Sequence, residues 1–219
     1  LRDAMACWTE HKPHPLLDHY RFLQARWGLA SLPMTELMAA MIQEQNGVAM
    51  KTESELLAYC HGVAGTIGLM TCPIFGVTDK KALKHADDLG IAMQLTNICR
   101  DVFEDAKNGR IYLPAEYFES PPSPSDILQN NSNEFLNEIA SIKKRILLEA
   151  DRRYTSGEQG IRYLPWRMRI VVRWAGRMYR EIGELIQNNP ELYHDKRAVV
   201  GGLKKLGILM PCLIKSIFN

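Results

Sequence analysis

Apolar residues recur along this chain every three to four positions, and no stretch alternates with period two for long enough to make a sheet. The periodicity predicts helices throughout, about eight of them. From Leu1 to Arg26 it predicts two helices with a corner at residues 11–15, HKPHP, where the prolines deny backbone donors and disfavour helix before them. Pro33 suits the first turn of a helix to about Gln45, with Met34, Leu37, Met38, Met41 and Ile42 on its apolar face and an end near Asn46 and Gly47. Thr52 and Glu55 form a capping-box pattern that opens the helix TESELLAYCHGVAGTIGLM. Three glycines there, Gly62, Gly65 and Gly68, each cost up to about 1 kcal/mol against alanine, so the spacing asks for close approach of a ligand or of another helix. Pro73 and Gly76 punctuate a loop, and Asn108 with Gly109 ends the long helix that comes next. After Pro114, SPPSPSDILQNNSN reads as a loose surface connection or lid. Helical spacing resumes at Phe135, Ile139, Ile142, Ile146 and Leu147 in a helix from Asn133 to Tyr154, whose basic residues Lys143, Lys144, Arg145, Arg152 and Arg153 read as a solvated face. Another helix runs from Leu164 to Ile186. The chain ends in VVGGLKKLGILMPCLIKSIFN, read either as a terminal helix folded onto the bundle or as an amphipathic segment resting on a membrane surface.

Composition narrows the class. With 219 residues, 46% hydrophobic and 24% charged, the chain is expected to form one domain over residues 1–219. A net charge of +2 without a dense basic block gives no electrostatic case for nucleic acid. Cys7, Cys60, Cys72, Cys99 and Cys212 are odd in number and irregularly spaced, which is neither a disulfide framework nor a zinc pattern and fits a reducing, cytoplasmic setting. No apolar run is read as reaching the ~18 residues of a membrane span, and no signal-peptide pattern opens the chain. It begins at Leu1, so it is expected to be a piece of a longer product. His11 and His14 flank a proline and carry little weight as metal ligands.

The chemistry concentrates between His85 and Pro114. At roughly 100° per residue, Gln94, Asn97, Asp101 and Asp105 fall within about an 80° arc, one polar stripe over three turns. Ile91, Ala92, Leu95, Ile98, Cys99 and Val102 fill much of the remaining surface, so the helix belongs inside a bundle and its stripe lines something wet or ionic. Carboxylates at i and i+4 repel, and a bound cation reverses that sign. Mg2+ suits oxygen donors and keeps positions open for phosphate, which Arg100 and Arg110 could also hold. The competing reading of the spacing alone is the solvated face of a structural bundle.

The longer string QLTNICRDVFEDAKNGRIYLP closely resembles the second aspartate-rich motif of the squalene and phytoene synthase family, which joins two isoprenoid diphosphates head to head. The resemblance implies the all-α isoprenoid synthase fold, a single helical bundle around a central cavity. It implies metal binding by Asn97, Asp101 and Asp105 and substrate contacts from Gln94, Arg100 and Arg110. YCHGVAGTIGLM is similar to a family segment that places Tyr59 at the reaction centre and Val63, Ala64 and Gly65 against substrate. WAGRMYREIG resembles a late helix with a tyrosine near the diphosphate, pointing to Tyr179, and KRAVV a basic segment with Arg197 on phosphate. Where the family carries an aspartate, this chain has Glu44. The family's first acidic motif, D-x-x-x-D beside arginines, has no counterpart here, so the bundle is expected to be incomplete at its N-terminal side and inactive alone. The implied activity is condensation of two geranylgeranyl diphosphates with Mg2+-assisted loss of diphosphate. A squalene-, dehydrosqualene- or hydroxysqualene-type reaction on farnesyl diphosphate stays open, as does a silent relative serving as a binding or assembly module. A reductive squalene route would need a nicotinamide cofactor, and no G-x-G-x-x-G comes after a strand.

Overall fold

The computed structural model describes residues 1–219 apart from 46, 78, 193–195 and 219, and is 78% helical. Among the described residues the only β contact is an isolated parallel bridge between Ala49 and Ile111. The helices are α1 (Arg2–Thr9), α2 (Pro15–Trp27), α3 (Ser31–Gln45), α4 (Glu53–Cys60), α5 (Thr66–Ile74), α6 (Lys80–Lys107), α7 (Pro124–Gln129), α8 (Asn133–Gly160), α9 (Trp166–Asn188) and α10 (Gly202–Phe218). A π-helical turn, His61–Gly65, joins α4 to α5 in one rod. The corner between α1 and α2 forms as expected: Pro15 opens α2, and the His14 ring caps it by accepting from the Leu16 amide at 3.2 Å. Asn46, expected at the end of α3, lies outside the described residues.

α6 is the axle. Ile91, Leu95, Ile98, Cys99 and Val102 are buried in one core with Ile139, Ile142, Ile146, Leu147 and Ala150 of α8. Polar ties cross the same interface. Asp88 of α6, 5% exposed, accepts from Arg153 at 2.9 Å and Ser156 at 2.6 Å, while Thr96 pairs with Tyr154 at 2.9 Å. Burial raises the Asp88 pKa, but hydrogen bonds from Lys84 and Ser156 and the charges of Lys84 and Arg153 outweigh it and leave the group lowered.

The basic face expected on α8 is therefore divided. Arg153 serves that buried carboxylate, and Lys143 is 5% exposed. Arg145 lies 3.8 Å from the centre of the Tyr117 ring and pairs with Glu53 at 3.3 Å. The stretch after Pro114 is also more ordered than its composition suggested. Ser123 and Asp126 complete a capping box around Pro124, and Ile127 of α7, 1% exposed, plugs the main core.

The three glycines of the rod meet helices. A Cβ on Gly62 would press on Ala40 of α3, one on Gly65 would strike the Asp87 carboxylate, and one on Gly68 would strike the Ala86 carbonyl of α6. From the other side, a Cβ on Gly90 would run into the Ala64 carbonyl. His61 pins the same corner, its Nδ1 2.6 Å from Asp87 and its Nε2 3.3 Å from Glu36. Burial lowers the His61 pKa, but Asp87 and then Glu36 more than offset it, so the ring is held above its ordinary value. The rod from Glu53 to Ile74 does have the length and apolar content of a membrane span, which corrects the reading that no run reaches it. Glycine and alanine dilute the hydropathy without interrupting it, and the glycine face is occupied by α3 and α6.

α10 folds onto α9. Cys212 and Ser216 are buried, Arg173 donates to Ser216, and Lys215 pairs with Glu158 at 2.6 Å.

The backbone-to-backbone approach gives a test. Gly90→Ala should destabilise the protein by about 2 kcal/mol, because neither backbone can yield. Gly207→Ala, helical with nothing within 4 Å of its added Cβ, should stabilise it by about 0.5–1 kcal/mol. Urea-unfolding midpoints should shift in opposite directions, and a neutral Gly90→Ala would refute the crossing.

Candidate active site

A cavity of about 390 Å3 lies between the rod, α6 and α9. Val63, Ala64, Ile67 and Gly68 form one wall, Leu89, Gly90 and Met93 of α6 another, and Val171, Val172 and Ala175 of α9 the third. At one end stand His85 and Tyr163, with rings stacked at 6.2 Å, along with Phe75, Val77 and Leu164. At the other stand Gln94, Asn97 and Tyr179. The order reflects the sequence of α6, since Ala82, Ala86, Leu89, Gly90 and Met93 line the apolar part and the next turns begin the polar stripe.

Asn97 donates to the Gln94 side-chain oxygen at 3.3 Å, and its own Oδ1 is buried without a partner, the sole such side-chain atom among the described residues. A buried unpaired acceptor is costly and asks for a donor or a cation. One turn on, Asp101 accepts two hydrogen bonds from Arg100, at 2.9 and 2.6 Å, and Arg197 reaches its Oδ1 at 3.1 Å. Arg100 is thereby held above its ordinary pKa, the Asp101 hydrogen bond leading. The Tyr179 hydroxyl contributes to the same raise.

Asp105 has the opposite environment. Burial and then the Asp101 charge push its pKa up to about 7, with Arg110 opposing and Glu44 adding to the rise. Its backbone is fixed by the helix end. Gly109 sits at φ 73°, and the amides of Gly109 and Arg110 return to the carbonyls of Ala106 and Asp105 at 2.9 Å each, a Schellman closure. That closure turns the chain so that Arg110 reaches Glu44 at 2.8 Å. The next residues run beside 48–50, with Ile111 donating to Val48 at 3.2 Å and Met50 to Ile111 at 3.4 Å.

This short pairing delivers Tyr112. Its hydroxyl donates to Glu44 at 3.1 Å and accepts from Tyr59 at 3.3 Å, and the two rings lie 5.0 Å apart. The Tyr59 hydroxyl also lies 3.3 Å from Glu44, so its one proton is shared between Tyr112 and Glu44. Burial first, then Tyr112 and Glu44, hold the Tyr59 phenol far above its ordinary pKa, so it is a permanent donor.

Gln94, Asn97 and Tyr179 thus stand at one end of the apolar cavity, and the stripe runs on from Asn97 to Asp101, held by Arg100 and Arg197, and to Asp105, beside Arg110, Glu44 and Tyr59. Val63 and Ala64 lie on the cavity wall. Gly65 does not; it is turned onto Asp87 of α6, where the π-helical turn presses two helices together. Tyr112 carried no role in the sequence reading, because its neighbours lie 53 and 68 positions away. His85 and Tyr163 were likewise unassigned. Among the described residues no three His, Cys, Asp or Glu side chains form a ready metal cluster. The donors available to a cation are all oxygens, from Asn97, Asp101 and Asp105. The unpaired Asn97 Oδ1 and the crowded Asp105 carboxyl fit a hard divalent ion that takes few protein ligands.

The chain is 36% identical over 156 residues to the 15-cis-phytoene synthase of Pantoea ananas, covering 71% of this chain and 50% of that protein. It is 33% identical over 212 residues to the chloroplastic phytoene synthase 1 of Zea mays, covering 88% and 50%. It therefore spans about half the length of these curated relatives. Its fold is like that of a dehydrosqualene synthase solved with a ligand, with a TM-score of 0.77, 21% identity and coverage of 98% of this chain and 76% of that one. A squalene synthase from Alicyclobacillus acidocaldarius superposes with a TM-score of 0.72 at 20% identity, covering 86% and 71%. The family described as squalene/phytoene synthase matches residues 1–204, and with that match over the helices that build the cavity and its polar end, the chain belongs to this family and has its isoprenoid synthase fold.

Proposed function

We propose that this chain forms part of the catalytic body of a phytoene synthase-like prenyltransferase, which joins two geranylgeranyl diphosphates head to head with loss of diphosphate. One observation carries the reading: a single helix, α6, lines an apolar cavity with one half and carries an oxygen-bearing stripe on the next turns, with Asn97 Oδ1 unpaired at the junction. A molecule with an apolar chain and an anionic head would span that boundary. The names of the relatives favour geranylgeranyl over farnesyl diphosphate.

In this reading Val63, Ala64, Leu89, Met93 and Val172 exclude water from the allylic carbon, where it would capture a cation. Arg100, Arg110 and Arg197 exchange their present carboxylate partners for diphosphate oxygens. Asn97, Asp101 and Asp105 would hold Mg2+, which supplies Lewis-acid neutralisation of the departing diphosphate. Tyr59, kept protonated, offers its hydroxyl at the head of the cavity, and Glu44 with Tyr112 fixes its direction.

Titration calorimetry with a non-hydrolysable diphosphate analogue tests this. Binding should require Mg2+ and weaken tenfold to a hundredfold in Asp101→Ala, the loss of about 1.5–3 kcal/mol expected of a charged partner. Metal-independent binding, or none, would overturn the proposal.

Asp105 adds a pH test without metal. A carboxyl raised from 3.8 to about 7 favours the folded state while protonated, and that contribution is lost as pH rises through 7. Asp105→Asn should therefore match the parent near pH 4 and exceed it at pH 8 by about 1–2 kcal/mol, after allowance for solvent screening. Equal stability at both pH values would show that Asp105 is not crowded as described.

A further inference from the structure

The apolar end of the cavity is built apart from the main core of the bundle. Cys72, Val77 and Ala82 are buried as a small core of their own, and Phe75, Tyr163 and Leu164 pack against it. Beside this core the His85 and Tyr163 rings line the cavity, with centroids 6.2 Å apart and planes 21° from parallel.

Both rings are held in place. A Cβ on Gly160 would strike His85, so the imidazole lies directly on the α8 backbone. Its Nδ1 is 2.9 Å from the Ser156 hydroxyl, which donates to Asp88 at 2.6 Å. Asp88 is held ionised by Lys84 and Arg153, at 2.5 and 2.9 Å. Ser156 therefore gives its one proton to that carboxylate and accepts from the Nδ1–H of His85. Arg162 donates to the Tyr163 hydroxyl at 3.0 Å and lies 4.9 Å from the ring centre. Rings locked by packing and hydrogen bonds make a firmer boundary than an aliphatic floor, which yields by changing rotamer.

The distance from these rings to the polar stripe matches a chain length. Asn97 and His85 are twelve residues apart on α6, about 18 Å at about 1.5 Å per residue. By the bond geometry that gives about 3.5 Å for three extended backbone bonds, a prenyl repeat of four main-chain carbons spans about 4.5–5 Å. Four repeats then reach about 18–20 Å, three about 14–15 Å and five about 23–25 Å. With the head group at Asn97, a geranylgeranyl tail ends at His85 and Tyr163. A farnesyl tail ends between Leu89 and Ala86, short of both rings.

We propose that His85 and Tyr163 form the end stop of the cavity, a pair of specificity-determining residues that admit four prenyl repeats and exclude a fifth. The inference deepens the reading of the cavity as an isoprenoid site and rests on it for the identity of the tail. It places the choice of chain length in two side chains remote from the diphosphate end.

Prenyl alcohols without Mg2+ test the stop independently of diphosphate binding, with displacement of the fluorescent apolar dye ANS as the readout. For the parent chain, affinity should rise at least tenfold from farnesol to geranylgeraniol and then level off at geranylfarnesol, whose fifth repeat stays outside. In His85→Ala with Tyr163→Ala the rise should continue, geranylfarnesol binding at least tenfold more tightly than geranylgeraniol. Farnesol, which does not reach the rings, should bind the double variant within twofold of the parent. His85→Phe, which loses the bond to Ser156 but keeps a ring, should restore the plateau beside Tyr163. A parent chain that binds no alcohol, or whose affinity keeps rising through geranylfarnesol, overturns the proposal. So does a plateau unmoved in the double variant, or loss of farnesol binding there, which would assign the rings to the fold. A plateau that moves as expected while the diphosphate analogue fails to bind upholds the stop and removes the proposed reaction.

Discussion

Everything in this bundle depends on how closely α6 can approach the rod formed by α4, the π-helical turn and α5. Where they cross, Gly68 lies against the Ala86 carbonyl and Gly90 against the Ala64 carbonyl, with no side chain between them. Each glycine costs helix propensity, and the return is two backbones near contact distance with a pocket opening beside the crossing. Larger residues would spread the helices and the cavity would lose its first wall. The π-helical turn falls at this place, and it sets Val63 and Ala64 on the cavity while Gly62 and Gly65 face helices.

The polar end is organised by how its cations are allotted. Three arginines meet three acids, but Arg100 and Arg197 both serve Asp101, and Arg110 serves Glu44. Asp105 is left with burial and like charge, and its pKa rises for that reason. The same allocation leaves Asn97 Oδ1 without a donor. Asn97 Oδ1 is thus unpaired and the Asp105 carboxyl crowded on one face of α6, while the arginines are held by carboxylates that a phosphate could replace.

Much of this was legible in the sequence because it is local. The proline corner, the Thr52 cap, the Gly109 closure and the stripe on α6 depend on residues within a few positions of each other, where periodicity and capping rules apply. The features that escaped notice are non-local. Tyr112 reaches Glu44 only because residues 111–115 run beside 48–51. Lys143 shares the helix face of Ile139, Ile146, Leu147 and Ala150, a spacing hidden by reading the basic residues together as one solvated face. The segment 120–133 looked loose because serine, proline and asparagine were weighed by composition. In order, Ser-Pro-Ser-Asp is a helix start, and the buried Ile127 one turn later anchors α7 to the core. Gly65 was placed against substrate by resemblance, while the glycine spacing also allowed contact with another helix, and it is Asp87 of α6 that a Cβ there would strike.

The terminal strap ties these parts together. Ala198 and Val200 are buried, at 2% exposure each, and they fix the segment from which Arg197 reaches Asp101. Arg197 itself is 65% exposed, so its position comes from those two anchors more than from its own packing. Beyond them α10 is clamped by Arg173 to Ser216 and by Lys215 to Glu158. A side chain at the polar end and the whole of α10 are therefore carried by one continuous segment, held to the central core at one end and to α8 and α9 at the other. Changes to the outer face of α10 leave those anchors in place, and loss of Ala198 or Val200 packing would release Arg197 from the site without touching α6.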